Sequence, residues 1–392
     1  MKDWHPADLS AQVIDALLER TGVDPDAVED VIWGCVQQVA EQAGNVGRNA
    51  VLSSRLPEHV PATSVNRACG SSQQTLHFAA QAVMSGTMDI VIAGGVEAMT
   101  RVPMGTSSEL PAQHGFGGPG SVTMAERYPG IVFSQFTGAE MMAVKYDLAK
   151  DVMDRFSFES HCRARAATEA GAFAAEIVPI AVGEASHTVD EGIRFDASLE
   201  GIAGVRLLRE GGRITAASAS QICDGASGVM VVNDAGLKRL GVRPLARVHH
   251  MSVWGGDPVI MLEAPIPATQ RALSRAGMSI EDIDLYEVNE AFASVPVAWL
   301  EVLGADPGRL NVNGGAISLG HPLGGSGTKL MTTLVNALRA RGKRYGLQTM
   351  CEGGGMANVT ISNPLIKRGL GTSPQLGCRE QSPLAFLSFG GM

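Results

Sequence analysis

The chain has 392 residues, 45% hydrophobic and 18% charged, which is enough for two hydrophobic cores. A formal net charge of −9 with no Lys/Arg run excludes nucleic acid and anionic membranes as expected partners. No apolar stretch approaches about 20 residues, so no helical membrane insertion is expected.

The opening residues, Met1-Lys2-Asp3-Trp4-His5-Pro6, are polar and lack a signal-peptide pattern. A helix follows from near Pro6. It closes at Leu18-Glu19-Arg20-Thr21-Gly22-Val23, with glycine as C-cap, then an acidic turn and a strand, Asp26 to Gly34. Next comes Val65-Asn66-Arg67-Ala68-Cys69-Gly70-Ser71-Ser72. Leu76, Ala79, Ala80, Val83 and Met84 then fall at helical spacing. Cys69 therefore sits where an extended segment turns into a helix N-terminus, a place that favours an anion and a lowered thiol pKa. An apolar strand, Asp89 to Gly95, follows.

Residues 100–240 form a long insertion. It opens with a Gly/Ser/Pro-rich loop, Gly105 to Gly120, and has helical stretches from Gly138 to Tyr146 and from Val152 to Ala175. Beyond it the first pattern returns. Arg20 and Gly22 match Arg275 and Gly277, both 255 positions later. Leu273 to Asn289 again reads helix, glycine cap, acidic turn, strand. Val312-Asn313 leads to His321, a helix from about Ser326 to Arg341, and an apolar strand ending at Cys351. Short apolar strands alternating with helices indicate parallel sheets covered on both faces. Two duplicated α/β halves are expected, residues 1–240 and 241–364, the first holding a loop domain at about 100–220. Residues 365–392 lack periodicity and are expected to be a disordered extension or a read-through artefact.

Four segments carry chemistry: Cys69 with its helix, Asn289-Glu290-Ala291-Phe292-Ala293, Asn313 to Gly327 around His321, and Cys351-Glu352-Gly353-Gly354-Gly355-Met356. Cysteine and histidine beside glycines are side chains suited to nucleophilic and acid/base work.

In order and spacing the four segments resemble the thiolase family, the CoA-dependent acyltransferases that make or cleave 3-ketoacyl-CoA. The resemblance runs from about residue 6 to about residue 361. It implies two similar halves stacked in α/β/α/β/α layers. It implies Cys69 as the acylated nucleophile, His321 as its activating base and Cys351 as the acid/base at carbon α. The N–H groups of Cys69 and Gly353 would hold the acyl oxyanion, and His321 with a water held by Asn289 the enolate. Coenzyme A would be a co-substrate rather than a permanently bound cofactor, contacted by Ser220, Ala219, Phe292 and Arg194. Ser134 stands where the family has a histidine, which puts acetyl-only specificity in doubt. A cytoplasmic homodimer or homotetramer acting in β-oxidation or its reverse is expected, with no metal.

The resemblance also exposes a gap. The second half has a strand, Pro244 to Val253, ahead of its helix, and the first half has nothing equivalent. Thiolases begin with such a strand. Its place in the first sheet is expected to be vacant, through a late start codon or in an impaired homologue. A ketoacyl synthase of the same fold is the other enzymatic reading, disfavoured because such enzymes use Cys-His-His where this chain has Cys351.

Other features read blandly. Cys35, Cys162 and Cys223 suit small buried residues, and the scattered cysteines contain no Cys-x2-Cys pair for zinc. His249-His250 are strand neighbours pointing to opposite faces. His77 reads as packing. Gly327-Thr328-Lys329 lacks the Gly-Lys-Ser/Thr order of a phosphate loop.

Overall fold

The computed structural model describes residues 1–365 and the backbone of residues 385–390. In the first half, α1 (Pro6–Thr21), β1 (Asp30–Gly34), α2 (Val46–Ser53), β2 (Ala62–Val65), α3 (Ser71–Ser85) and β3 (Ile90–Ala98) follow in order. The insertion holds α4 (Thr106–Gln113), α5 (Val122–Arg127), α6 (Gln135–Lys145), α7 (Lys150–Glu169), a hairpin of β4 (Ile180–Val182) and β5 (Ala185–His187), and α8 (Leu199–Ala203). Strand β6 (Asp224–Val232) closes this half, and α9 (Asp234–Leu240) links it to β7 (Ala246–Gly255). The second half continues through α10 (Pro265–Ala276), β8 (Leu285–Val288), α11 (Ser294–Leu303), α12 (Ala316–Leu319), α13 (Ser326–Ala340), β9 (Gly346–Glu352) and β10 (Met356–Pro364). The last strand is β11 (Ala385–Gly390).

Local chemistry explains the repeated entry helices. Proline opens both α1 and α10, where a missing N–H costs nothing. Gly22 and Gly277 close them at φ 63° and 65°, a left-handed turn that other residues adopt only with strain.

The duplication is metrical. In the parallel pair β1–β3, Asp30 lies opposite Val91; in β8–β9, Leu285 lies opposite Gly346. Both partners have moved by 255, as have both ends of α3 to give α13. The layers follow. Helices α1 and α2 pack on β1, β3 and β6 through Ile14, Leu17, Trp33 and Val51. Helices α3 and α13 form the middle layer, where Leu76 and Ala79 join Met331 and Val335 between strands of both halves. Helices α10 and α11 cover β8, β9 and β10 around Trp299 and Tyr286. Trp299 keeps its buried N–H satisfied by donating to Thr269 Oγ1 at 2.9 Å. The α/β/α/β/α stack is therefore present.

One expectation is corrected. The strands run β2-β1-β3-β6-β11-β7-β10-β9-β8. In the second half, β7 lies antiparallel beside β10. At the matching place in the first half, β11 lies antiparallel beside β6, with Ala385 opposite Val232 and Gly390 opposite Ser227. The position expected to be vacant is filled, and part of the expected disordered tail is a strand. The physical reason is that β6 exposes a row of backbone donors and acceptors that any extended segment can pair. Residues 366–384 and 391–392 lie outside the described residues.

Candidate active site

Cys69 is on the tight loop ahead of α3. Ala68 has φ 45°, a costly conformation for a residue with a side chain. Local bonds hold it: Ala68 N donates to Asn66 Oδ1 at 2.9 Å, and Ser71 Oγ donates to the Ala68 carbonyl at 2.6 Å. The backbone N–H groups of Cys69 and of Gly353 lie near the Cys69 sulfur and favour its anion. These donors come from different halves of the molecule. Fixed backbone N–H groups close together are what an oxyanion hole is made of.

The expected lowered thiol pKa is not found. Burial, and secondly the carboxyl of Glu352, push Cys69 up to about 12, and the two N–H groups only partly oppose this. Desolvation of a thiolate outweighs the helix N-terminus, because the terminus offers only partial charges. A base must therefore take the proton.

His321 is buried on the glycine-rich loop between α12 and α13. Its Nδ1 lies 2.6 Å from Ser326 Oγ, and its Nε2 lies 3.4 Å from Asn289 Nδ2. Burial, then the charge of Lys329, lowers its pKa to about 3, so the imidazole is neutral and free to accept a proton. The helices that follow Cys69 and His321 meet in their first turns, where Thr328 N donates to Ser72 Oγ at 3.0 Å. Cys351 is the next-to-last residue of β9, buried beside Cys69, and burial first and Cys69 second push its thiol well above the usual range.

Asn289 and Phe292 are buried on the loop after β8. Glu290 anchors that loop, accepting from Ser160 Oγ at 2.7 Å, Asn311 Nδ2 at 2.8 Å and Ile317 N at 3.1 Å. Ser160 belongs to α7, so the insertion is bolted to the site. Ala219 bridges Phe292 on paired backbone, and Ser220 N donates to the Ala291 carbonyl at 2.9 Å. His321 N in turn donates to the Gln221 carbonyl at 3.1 Å. Ser134 opens α6, whose Phe136 stacks edge-on against Phe292 with centroids 5.5 Å apart. Arg194 is exposed, its backbone N donating to His161 Nδ1 at 3.2 Å. No described contact joins its guanidinium to the cysteine–histidine cluster.

The thiolase N-terminal domain model matches residues 1–235, and the thiolase C-terminal domain model matches residues 242–363. The chain belongs to the thiolase family. Among similar proteins is the steroid 3-ketoacyl-CoA thiolase FadA6 of Mycobacterium tuberculosis, 51% identical over 359 residues, covering 91% of this chain and 88% of the relative. The 3-ketoacyl-CoA thiolases of Aliivibrio salmonicida and Yersinia pestis are each 42% identical over 365 residues, covering 90% of this chain and 92% of theirs. This thiolase is a CoA-dependent acyltransferase. Among the described residues no helix is long and apolar enough to cross a membrane.

Several residues around the site escaped the sequence reading. Ser326 touches His321, Glu290 braces the Asn289 loop, and Gln221 donates to the carbonyls of Gly192 and Ile317 at 2.8 and 2.7 Å. Glu97 and Glu352 lie beneath the two reactive loops. The signal for the last pair was present: like Arg20 and Arg275, they stand 255 positions apart. Cys35 is buried and Cys162 and Cys223 are half-buried free thiols; Cys378 lies outside the described residues.

Proposed function

We propose that this thiolase cleaves 3-ketoacyl-CoA, or runs the reverse condensation, through an acyl group carried on Cys69. His321 Nε2 takes the thiol proton. The thiolate adds to the C3 carbonyl, whose oxygen lies against the N–H groups of Cys69 and Gly353. The C2–C3 bond then breaks and Cys351 protonates the departing acetyl-CoA enolate, with Asn289 and His321 stabilising the enolate oxygen. Free CoA next attacks the Cys69 thioester and leaves as the shortened acyl-CoA. The reading is supported by one arrangement: Cys69 lies close enough to Cys351, and to backbone N–H groups from both halves, for each to act on the thiol's charge.

For CoA, the reading uses Ser220, Ala219 and Phe292 near the reacting atoms and Arg194 at the nucleotide end, with no permanently bound cofactor. For the acyl group it takes a bulky, ring-bearing chain. In support, a relative named for steroid substrates is 51% identical, against 42% for the thiolases with unspecialised names, and Ser134 replaces the family's histidine. Exposed Leu110, Phe116, Val122 and Met124 in the insertion favour a homo-oligomer. A cytoplasmic setting fits the free cysteines. The test is consumption of acetoacetyl-CoA and of a ring-bearing 3-ketoacyl-CoA with free CoA present. A higher kcat/KM on the ring-bearing substrate is expected; turnover of acetoacetyl-CoA alone overturns the bulky assignment, and turnover of neither overturns the cleavage reading.

A further inference from the structure

Glu97 and Glu352 are one residue of the duplication, seen twice. The shift of 255 that carries β1–β3 onto β8–β9 and α3 onto α13 also carries Cys69 to Gly324 and Glu97 to Glu352. Each glutamate lies beneath the helix-entry loop of the opposite half. Their surroundings differ completely. Glu97 is saturated with donors: Oε2 accepts from Gly324 N at 2.8 Å and Val36 N at 2.9 Å, and Oε1 accepts from Gln37 N and Gln42 Nε2, both at 2.9 Å. It is built as a carboxylate that ties the His321 loop to the first half.

Glu352 has no such partners. Its side chain is fully buried, and neither oxygen has a hydrogen-bond partner among the described residues. A Cβ placed on Gly70 would run into both Glu352 Oε1 and Asn358 Oδ1, so these two oxygens flank one point beside the Cys69 loop. Asn358 Oδ1 also lacks a donor, and its amide nitrogen is committed to Gln74 Oε1 at 3.1 Å. Two acceptors flank one point, and with the Asn358 amide nitrogen donating to Gln74 the carboxyl is the group placed to bring a proton between them.

We propose that Glu352 works as a neutral carboxylic acid, donating its O–H to Asn358 Oδ1, and as a positioning residue supports the Cys69 loop without setting a negative charge beneath the thiol. The inference rests on Cys69 being the nucleophile. A donor-less carboxylate in this place would pay the full cost of desolvation. Burial accordingly moves the Glu352 pKa up to about 8, against the opposing charge of Arg67 on the loop before α3 and, after it, the backbone N–H of Asn358. The other titratable groups facing it are the thiols of Cys69 and Cys351; β10 contributes only Asn358. Ionised, Glu352 pushes both thiols further up. Raising the pH past about 8 therefore switches on a charge that opposes the Cys69 thiolate just when alkali should favour it.

Glu352→Gln keeps a donor for Asn358 and cannot ionise. Alkylation of Cys69 by iodoacetamide, followed site by site by mass spectrometry, should run similarly in the two proteins at pH 6.5. At pH 9.5 the Gln variant should be faster by about tenfold. Superimposable pH curves overturn the proposal. A second readout is the infrared difference between the wild type and Glu352→Gln, both labelled with carboxyl-13C glutamate, in which Glu176, also raised to about 8, cancels: a buried protonated-carboxyl band present only in the wild type should be lost as the pH passes about 8. No such band at pH 7 also overturns it. Should the acyl group map to a residue other than Cys69, the functional reading fails, while the band missing from Glu352→Gln still reports on Glu352.

Discussion

Ser326 Oγ lies 2.6 Å from Nδ1 of His321 and 2.8 Å from the carbonyl oxygen of Pro322. A hydroxyl has one proton, and the carbonyl can only accept. With Ser326 donating to Pro322 the hydroxyl accepts from His321, an arrangement that places the imidazole proton on Nδ1. Nε2 is left with its lone pair, facing Asn289 Nδ2. One serine on the first turn of α13 sets the tautomer a general base at this position requires.

Replacing Ser326 by alanine should release that tautomer. Acylation of Cys69 should slow by roughly tenfold, less than the hundredfold or more expected for His321→Ala. Nitrogen-15 NMR of labelled histidine should show a mixed tautomer in Ser326→Ala and a single Nδ1–H form in the wild type. A wild-type signal from Nε2–H would refute the assignment.

Cys351→Ala should separate the two half-reactions. Cys351 is placed to move a proton at carbon α, so acylation of Cys69 by a simple acyl-CoA should survive better than cleavage of a 3-ketoacyl-CoA. Intact-protein mass spectrometry and a steady-state assay measure the two. Equal losses would make Cys351 structural, and acyl adducts on Cys351 with Cys69 bare would reverse the roles.

The sequence disclosed the duplication and the reactive side chains because both are written locally. Arg20 and Arg275 keep one spacing, and Cys69, His321 and Cys351 each sit in glycine-rich turns with few structural uses. Electrostatics was not legible in the same way. A helix N-terminus pointed to a lowered Cys69 pKa, whereas burial and Glu352, distant in sequence, push it up. Neither the four donors on Glu97 nor their absence at Glu352 follows from two glutamates at equivalent positions. The place of β11 was hidden for another reason: strand pairing depends on which edge is open, and residues 365–392 carry no periodic pattern of their own.

Stability should peak on the mildly acid side of neutrality. His77 and His321 are both lowered to about 3 by burial, so their contribution is full above the ordinary histidine pKa and is lost as the pH falls from about 6.5 toward 3. Glu176 and Glu352 are raised to about 8, so theirs is full below the ordinary carboxyl range and is lost as the pH rises through about 8. His77 Nε2 faces Thr360 Oγ1 at 2.7 Å, a bond glutamine can imitate. His77→Gln should therefore lose less melting temperature than the wild type between pH 6.5 and 4.5. Parallel curves would mean that His77 is charged in the folded protein.

Removing every residue after Pro364 should destabilise the first half more than the second. In the full chain β11 separates β6 from β7, pairing six residues along β6 and meeting β7 where Phe386 lies opposite Ala246. Without it, the outer edge of β6 loses its ladder, while β10 keeps both neighbours, β7 and β9. Val229, Met230, Val231 and Val232 are buried in the full chain, so β6 opens an apolar edge as well as an unpaired one. At about 1 kcal/mol per net hydrogen bond the loss is several kcal/mol, a large share of ordinary domain stability. The shortened protein should melt at least about 5 °C lower and aggregate sooner. Hydrogen exchange should show residues 227–232 losing protection while residues 346–352 keep theirs. In the full chain the amides of residues 385–390 should be protected with those of β6. Free exchange there, with an unchanged melting temperature after truncation, would show that β6 does not depend on this strand.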